Sequence, residues 1–131
     1  MRRVGLLFVM LLGAAAHPGD TGQASQSAVG SGIQLVQTCR LYFEYLGRTG
    51  AGREETLERN PVGMGYCAGL VHGVVHMAQT FLPDRVCLPD EATMAQAVWV
   101  VVQYLEQNPI ALPEEDSALV LRALENTYRC P

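Results

Sequence analysis

NPVGMGYCAGLVHGVVHMAQTFLP, residues 60–83, carries both ends of one long helix. Asn60 offers a side-chain acceptor for an N-cap, and Pro61 falls in the first turn, where its missing N–H costs nothing. Pro83 stops the run. Between them Met64, Cys67, Leu70, Val71, Val74, Ala78 and Phe81 recur at steps of three and four, which predicts one apolar side of a buried helix. Gly65, Gly69 and Gly73 make a smooth second face. Each glycine costs roughly 1 kcal/mol against alanine, so a neighbour's backbone is expected to approach that face closely and offset the loss.

The flanks repeat the pattern. Upstream, Val36, Cys39, Phe43 and Leu46, widened by Leu35 and Tyr42, predict a helix from Ile33 that stops at Gly47. Arg48 to Arg59 is polar, charged and glycine-containing, and reads as an exposed loop. Downstream, Thr93 and Gln96 form a capping-box pattern ahead of Ala97, Val98, Val101, Tyr104 and Leu105, with Trp99 and Val102 at the flanks. Val98 to Val102 is β-prone, but it lies inside a longer helical period. Asn108-Pro109 ends that helix. Pro113-Glu114-Glu115-Asp116 opens a fourth, its acids at the positive end of the dipole and Leu121, Leu124 and Tyr128 inward. The expectation is an all-α domain of four helices in two hairpins.

Ahead of these helices the chain changes character. Arg2 and Arg3, the apolar run Val4 to Leu12 and Ala14-Ala15-Ala16 make a signal peptide over residues 1–16, cut after Ala16. The run is shorter than the roughly 20 residues that span a bilayer. Residues 17–32, rich in Gly, Ser, Gln, Ala and Thr, read as a flexible tether, and residues 33–131 as the helical domain. The full chain has 131 residues, nine arginines, no lysine and thirteen acids. Losing Arg2 and Arg3 raises its acidic excess from four to six. Such a chain has room for one domain, has no basic stripe for nucleic acid, and reads as exported and soluble, without a membrane span after cleavage.

Export decides how the cysteines read. Cys39, Cys67, Cys87 and Cys130 are even in number and contain no close Cys-x-x-Cys pair, so two disulfides are expected rather than a zinc site. Of the three connectivities, Cys67–Cys87 demands a taut reversal: a helix from Cys67 to Leu82 rises about 22 Å, and five extended residues return at most about 17 Å. In two antiparallel hairpins Cys39 faces Cys67 and Cys87 faces Cys130, so that pairing is expected. Cys39–Cys87 with Cys67–Cys130 stays open.

Little else carries chemistry. His72 and His76, at i and i+4, could chelate a metal, but Gly73 stands where a zinc protease needs glutamate, and no third ligand is evident. The serines show no nucleophile elbow, and the carboxylate runs Glu54-Glu55 and Glu114-Glu115-Asp116 fall in solvated positions. No enzymatic activity, metal or cofactor is expected.

Cys39 with Tyr42, Gly65-Tyr66-Cys67-Ala68-Gly69-Leu70-Val71-His72-Gly73, Cys87-Leu88-Pro89 with Thr93 and Gln96, Tyr104-Leu105 before Pro109, and Ala123-Leu124 before Cys130 follow one another in a telling order. The sequence resembles the Rap/Tai family of periplasmic immunity proteins of type VI secretion systems, over roughly residues 33–131. Two positions depart from the family pattern: Tyr66 precedes the second cysteine, and Arg129 replaces the usual proline before the last.

The resemblance implies a small disulfide-bonded helical protein of the periplasm, often a homodimer, that binds and occludes a peptidoglycan amidase toxin. It places the toxin-entering loop by position at Glu106 to Asp116, with Glu106, Gln107, Asn108, Ile110, Glu114, Glu115 and Asp116 as the partner-binding residues. An acidic, proline-stiffened loop suits a basic cleft, since stiffness lowers the ordering cost of binding. The alternative is a periplasmic helical chaperone or stress protein resembling the small acid-stress chaperones. It would bind unfolded clients through apolar surface and prefer no single partner.

Overall fold

Among the described residues five α-helices form: α1 (Gly32–Gly47), α2 (Gly50–Arg59), α3 (Pro61–Phe81), α4 (Met94–Gln107) and α5 (Asp116–Thr127), with a 3-10 turn at Pro109–Ala111. The computed structural model describes residues 30–131. The expected signal peptide and residues 17–29 of the expected tether lie outside the described residues. Among the described residues there is no strand, only an isolated antiparallel bridge between Ser31 and Glu115.

The all-α expectation stands, and the count of four helices is corrected to five. The additional helix is α2, expected as loop. Gly50 and Gly52 weaken a run that Ala51, Arg53, Glu54, Glu55, Leu57, Glu58 and Arg59 otherwise favour as helix, and side-chain contacts offset that loss. Thr56, 1% exposed, donates its hydroxyl to the Gly52 carbonyl at 2.8 Å. Arg59 donates to Glu44 of α1 at 3.1 Å, and the Arg53 guanidinium sits 4.3 Å from the centre of the Tyr45 ring. Only Arg48 and Thr49 separate α1 from α2, and only Asn60 separates α2 from α3. The first hairpin is therefore joined through a helix.

Both helix starts expected from capping chemistry are present. Asn60 Oδ1 accepts from the Gly63 amide at 2.8 Å. Thr93 and Gln96 exchange hydrogen bonds at 3.2 and 2.8 Å, satisfying two otherwise orphaned amides of α4. α1 packs against α3 and α4, and α5 closes over α3 and α4. Leu35, Val71, Val98, Leu105, Leu119 and Leu124 are fully buried at that junction. Each such side chain contributes about 1.5–3 kcal/mol of transfer free energy.

The helices bury the expected faces over only part of their length. Phe43 is 38% and Phe81 74% exposed, because periodicity gives a helix its face and not where its neighbour ends. On α5 the buried set is Leu119, Val120, Ala123 and Leu124, with Leu121 half-buried at its edge.

The glycine face is a correction. Gly65, Gly69 and Gly73 are exposed, and a Cβ at any of them would meet nothing within 4 Å. Close approach occurs instead at Gly32, where a Cβ would run into Leu119 Cδ1 and lie 2.9 Å from the Leu112 carbonyl.

Cys39 pairs with Cys67 and Cys87 with Cys130, with Cα separations of 5.1 and 5.0 Å. The first bridge is buried in the core between α1 and α3. The second ties the segment before α4 to the one after α5, beside the Cys87 amide, which donates to the Tyr128 carbonyl at 2.8 Å.

Candidate functional site

The segment Glu106 to Asp116 joins α4 to α5, and its shape is set by backbone bonds at both ends. Asn108 closes α4: its side-chain amide donates to the Tyr104 carbonyl at 2.7 Å and its backbone N–H to Leu105 at 3.3 Å. Pro109 fixes the next residue's entry into the 3-10 turn, which the Ala111 amide closes on the Asn108 carbonyl at 3.0 Å. Glu114 N–H returns to the Ala111 carbonyl at 2.9 Å. Ile110 stands at the apex, 95% exposed.

The far end is strapped to the start of α1. Gly32 N–H donates to the Glu114 carbonyl and Ile33 N–H to the Leu112 carbonyl, both at 3.1 Å, while Asp116 N–H donates to the Gly30 carbonyl at 2.9 Å. Gly30 to Gly32, expected as the last residues of the tether, thus belong to the folded unit. Pro113 does not open the last helix as expected. Its neighbours Leu112 and Glu114 are held by this strap, and the helix begins only at Asp116.

Each acid of the segment has a partner inside the molecule. Glu106 takes a hydrogen-bonded ion pair with Arg40 of α1 at 2.6 Å. Glu114 pairs with Arg122, and that hydrogen bond holds its carboxyl below the usual range while raising the guanidinium. Glu115 caps α5, accepting from the Ser117 hydroxyl at 2.7 Å and from the Ala118 amide at 3.0 Å, which lowers its carboxyl as well. Asp116 is 4% exposed and accepts from the Tyr66 hydroxyl of α3.

These contacts sort the seven expected residues. Glu106, Gln107, Ile110, Glu114 and Glu115 are exposed on one connection, and Asn108 is half-buried there. Asp116 belongs to the interior, where its side chain holds the segment rather than facing a partner. Tyr66, Arg40 and Arg122 were missed as residues that position this segment. Arg40 lies 66 positions from Glu106, so no local pattern could reveal the pair.

His72 and His76 both lie on the exposed side of α3. Among the described residues no three His, Cys, Asp or Glu side chains cluster closely enough to hold an ion, and no helix is long and apolar enough to cross a membrane.

The family model for Rap1a immunity proteins matches residues 31–130. The chain belongs to the Rap1a immunity protein family. No curated protein and no solved structure matches it. The Rap1a match starts at Ser31, bridged to Glu115, and ends at Cys130, the last disulfide cysteine, so it takes in the five described helices, both disulfides and all of the strap but Gly30. The Rap/Tai resemblance read from the cysteine neighbourhoods agrees with it.

Proposed function

We propose that this Rap1a-family chain is the immunity partner of a peptidoglycan amidase toxin delivered by type VI secretion, and that it acts in the periplasm by occluding the toxin's groove. The observation that carries the reading is the Rap1a match over residues 31–130, and Ile110 marks where the partner would make contact. A large aliphatic side chain left 95% exposed at the tip of a turn loses the transfer free energy of burial until something covers it. Both ends of that turn are fixed, so docking would order few new bonds, and a rigid anchor residue in a partner's pocket is the usual core of a tight interface.

Glu106 and Glu114 are already paired with Arg40 and Arg122, so Glu115 is the exposed acid of the segment without a cationic partner among the described residues, and exchange of these ion pairs with a basic cleft would set orientation more than strength. Inhibition of this kind needs no catalytic group on the immunity protein. The two disulfides fit an oxidising compartment, reached by removal of residues 1–16. A homodimer is part of the same proposal, and sedimentation velocity of the mature chain tests it.

The deciding experiment is co-purification from the native host, with identification of any secreted hydrolase that comes down, joined to a protection assay in cells that export that hydrolase. A stable complex and survival with the wild-type chain support the reading. Binding of many denatured clients on acidification, with no complex, overturns it in favour of the chaperone alternative.

A further inference from the structure

A groove runs along α4 where it faces the end of α5, and it reaches Gln107 and Asn108 at the near end of the strapped connection. Two concavities of about 360 and 280 Å³ lie end to end in it. Trp99 and Val100 line both, so the indole stands between them, 47% exposed. The fold does not need that exposure. Trp99 lies outside the buried set of α4, which is built from alanine, valine and leucine.

The rest of the lining has an unusual chemistry. Gln96, Gln103, Gln107 and Asn126 bring side-chain amides to the groove, and Glu91 is the one ionised side chain among its lining residues. Gln96 spends its carbonyl oxygen on Thr93 and keeps its NH2 for a ligand. We infer that this groove is a binding site for a neutral oligosaccharide, whose sugar ring stacks on Trp99 and whose neighbouring units occupy the two concavities.

Three physical points select that class. The C–H face of a pyranose carries slight positive charge and meets the negative face of an indole favourably. Sugar hydroxyl and acetamido groups donate and accept together, as glutamine and asparagine amides do. A charged ligand would find almost nothing to neutralise it here. An extended peptide fits less well, since it needs a sheet edge, absent among the described residues.

Trp99 is the one tryptophan of the chain, so its emission reports on this groove directly. Titration of the oxidised protein with tetra-N-acetylchitotetraose at millimolar concentrations should give a saturable shift in emission. Q103A and Q107A, which keep the reporter, should each weaken the apparent affinity about fivefold, the value of one hydrogen bond. Calorimetry on W99A, with circular dichroism showing retained helix, should detect no binding. An emission that does not saturate overturns the proposal, as does a shift that survives unchanged in both glutamine variants.

Discussion

Tyr66 of α3 donates its phenolic hydrogen to the carboxyl of Asp116, a residue 4% exposed at the first turn of α5. Fifty positions of chain separate them, and the bond joins α3 of one hairpin to the far end of the exposed connection in the other, where α5 begins. Removing the hydroxyl strands a buried acceptor, at about 1–3 kcal/mol. Y66F should lower stability to urea by that amount, and D116A should add little to it, so the double-mutant cycle closes with strong coupling. Additive losses would show the pair to be independent.

Ile110 should behave in the opposite way. I110D leaves Tm unchanged within error, because a residue 95% exposed supports nothing in the free protein. Binding of the cognate hydrolase should fall by about 2 kcal/mol or more, roughly thirtyfold. Calorimetry and a thermal melt on the same preparation separate the two effects.

The two bridges differ in access. Cys39 and Cys67 are fully buried, whereas Cys87 is exposed. Limited reduction with alkylation and mass spectrometry should therefore label Cys87 and Cys130 well before the other pair. Full reduction should cost about 2–4 kcal/mol per bridge, a large share of a small domain's stability.

Acid should loosen the strapped connection. The carboxyls of Glu114 and Glu115 are held below the ordinary value of 4.5 by Arg122 and by Ser117 with the Ala118 amide. A lowered folded value means that their contribution is complete above 4.5 and is lost as pH falls through the lowered values. Both groups are solvent-exposed, so the effect is modest. Thermal melts from neutral pH down to about 3 should show a slope below 4.5 that E114Q and E115Q flatten.

Glycines give a fourth contrast in stability. G69A, on an open helix face with nothing within 4 Å, should raise stability by about 0.5–1 kcal/mol. G32A should lower it, because the new methyl meets Leu119 and the Leu112 carbonyl. Chemical denaturation of the two variants checks the sign of each.

The parts legible in the sequence were those written in local chemistry. Asn60-Pro61 and Thr93 with Gln96 announced two helix starts; similar distances from the first turn announced Cys39–Cys67, and positions at the outer ends of the second hairpin announced Cys87–Cys130. α2 escaped because its two glycines and its charge read as an exposed loop, although most of its residues favour helix, and because its anchors Glu44 and Tyr45 lie on another helix. The candidate segment could be placed by resemblance, but its internal order could not. The strap from Gly30 to Ile33 and the bond from Tyr66 join residues far apart in the chain, and nothing in Glu114-Glu115-Asp116 distinguishes an acid that faces water from one turned inward. The glycine face shows the converse error: a four-residue spacing fixes alignment along a helix without saying whether anything lies opposite.

Because each cysteine bonds the next one along, the two covalent loops sit side by side and neither encloses nor crosses the other. A polypeptide oxidised from its N-terminus as it emerges meets the right thiol first every time: 39 waits only for 67, and 87 only for 130. Native pairing can then be reached without reshuffling, so the reduced chain, released slowly N-terminus first into an oxidant, should mature with no help from a disulfide isomerase.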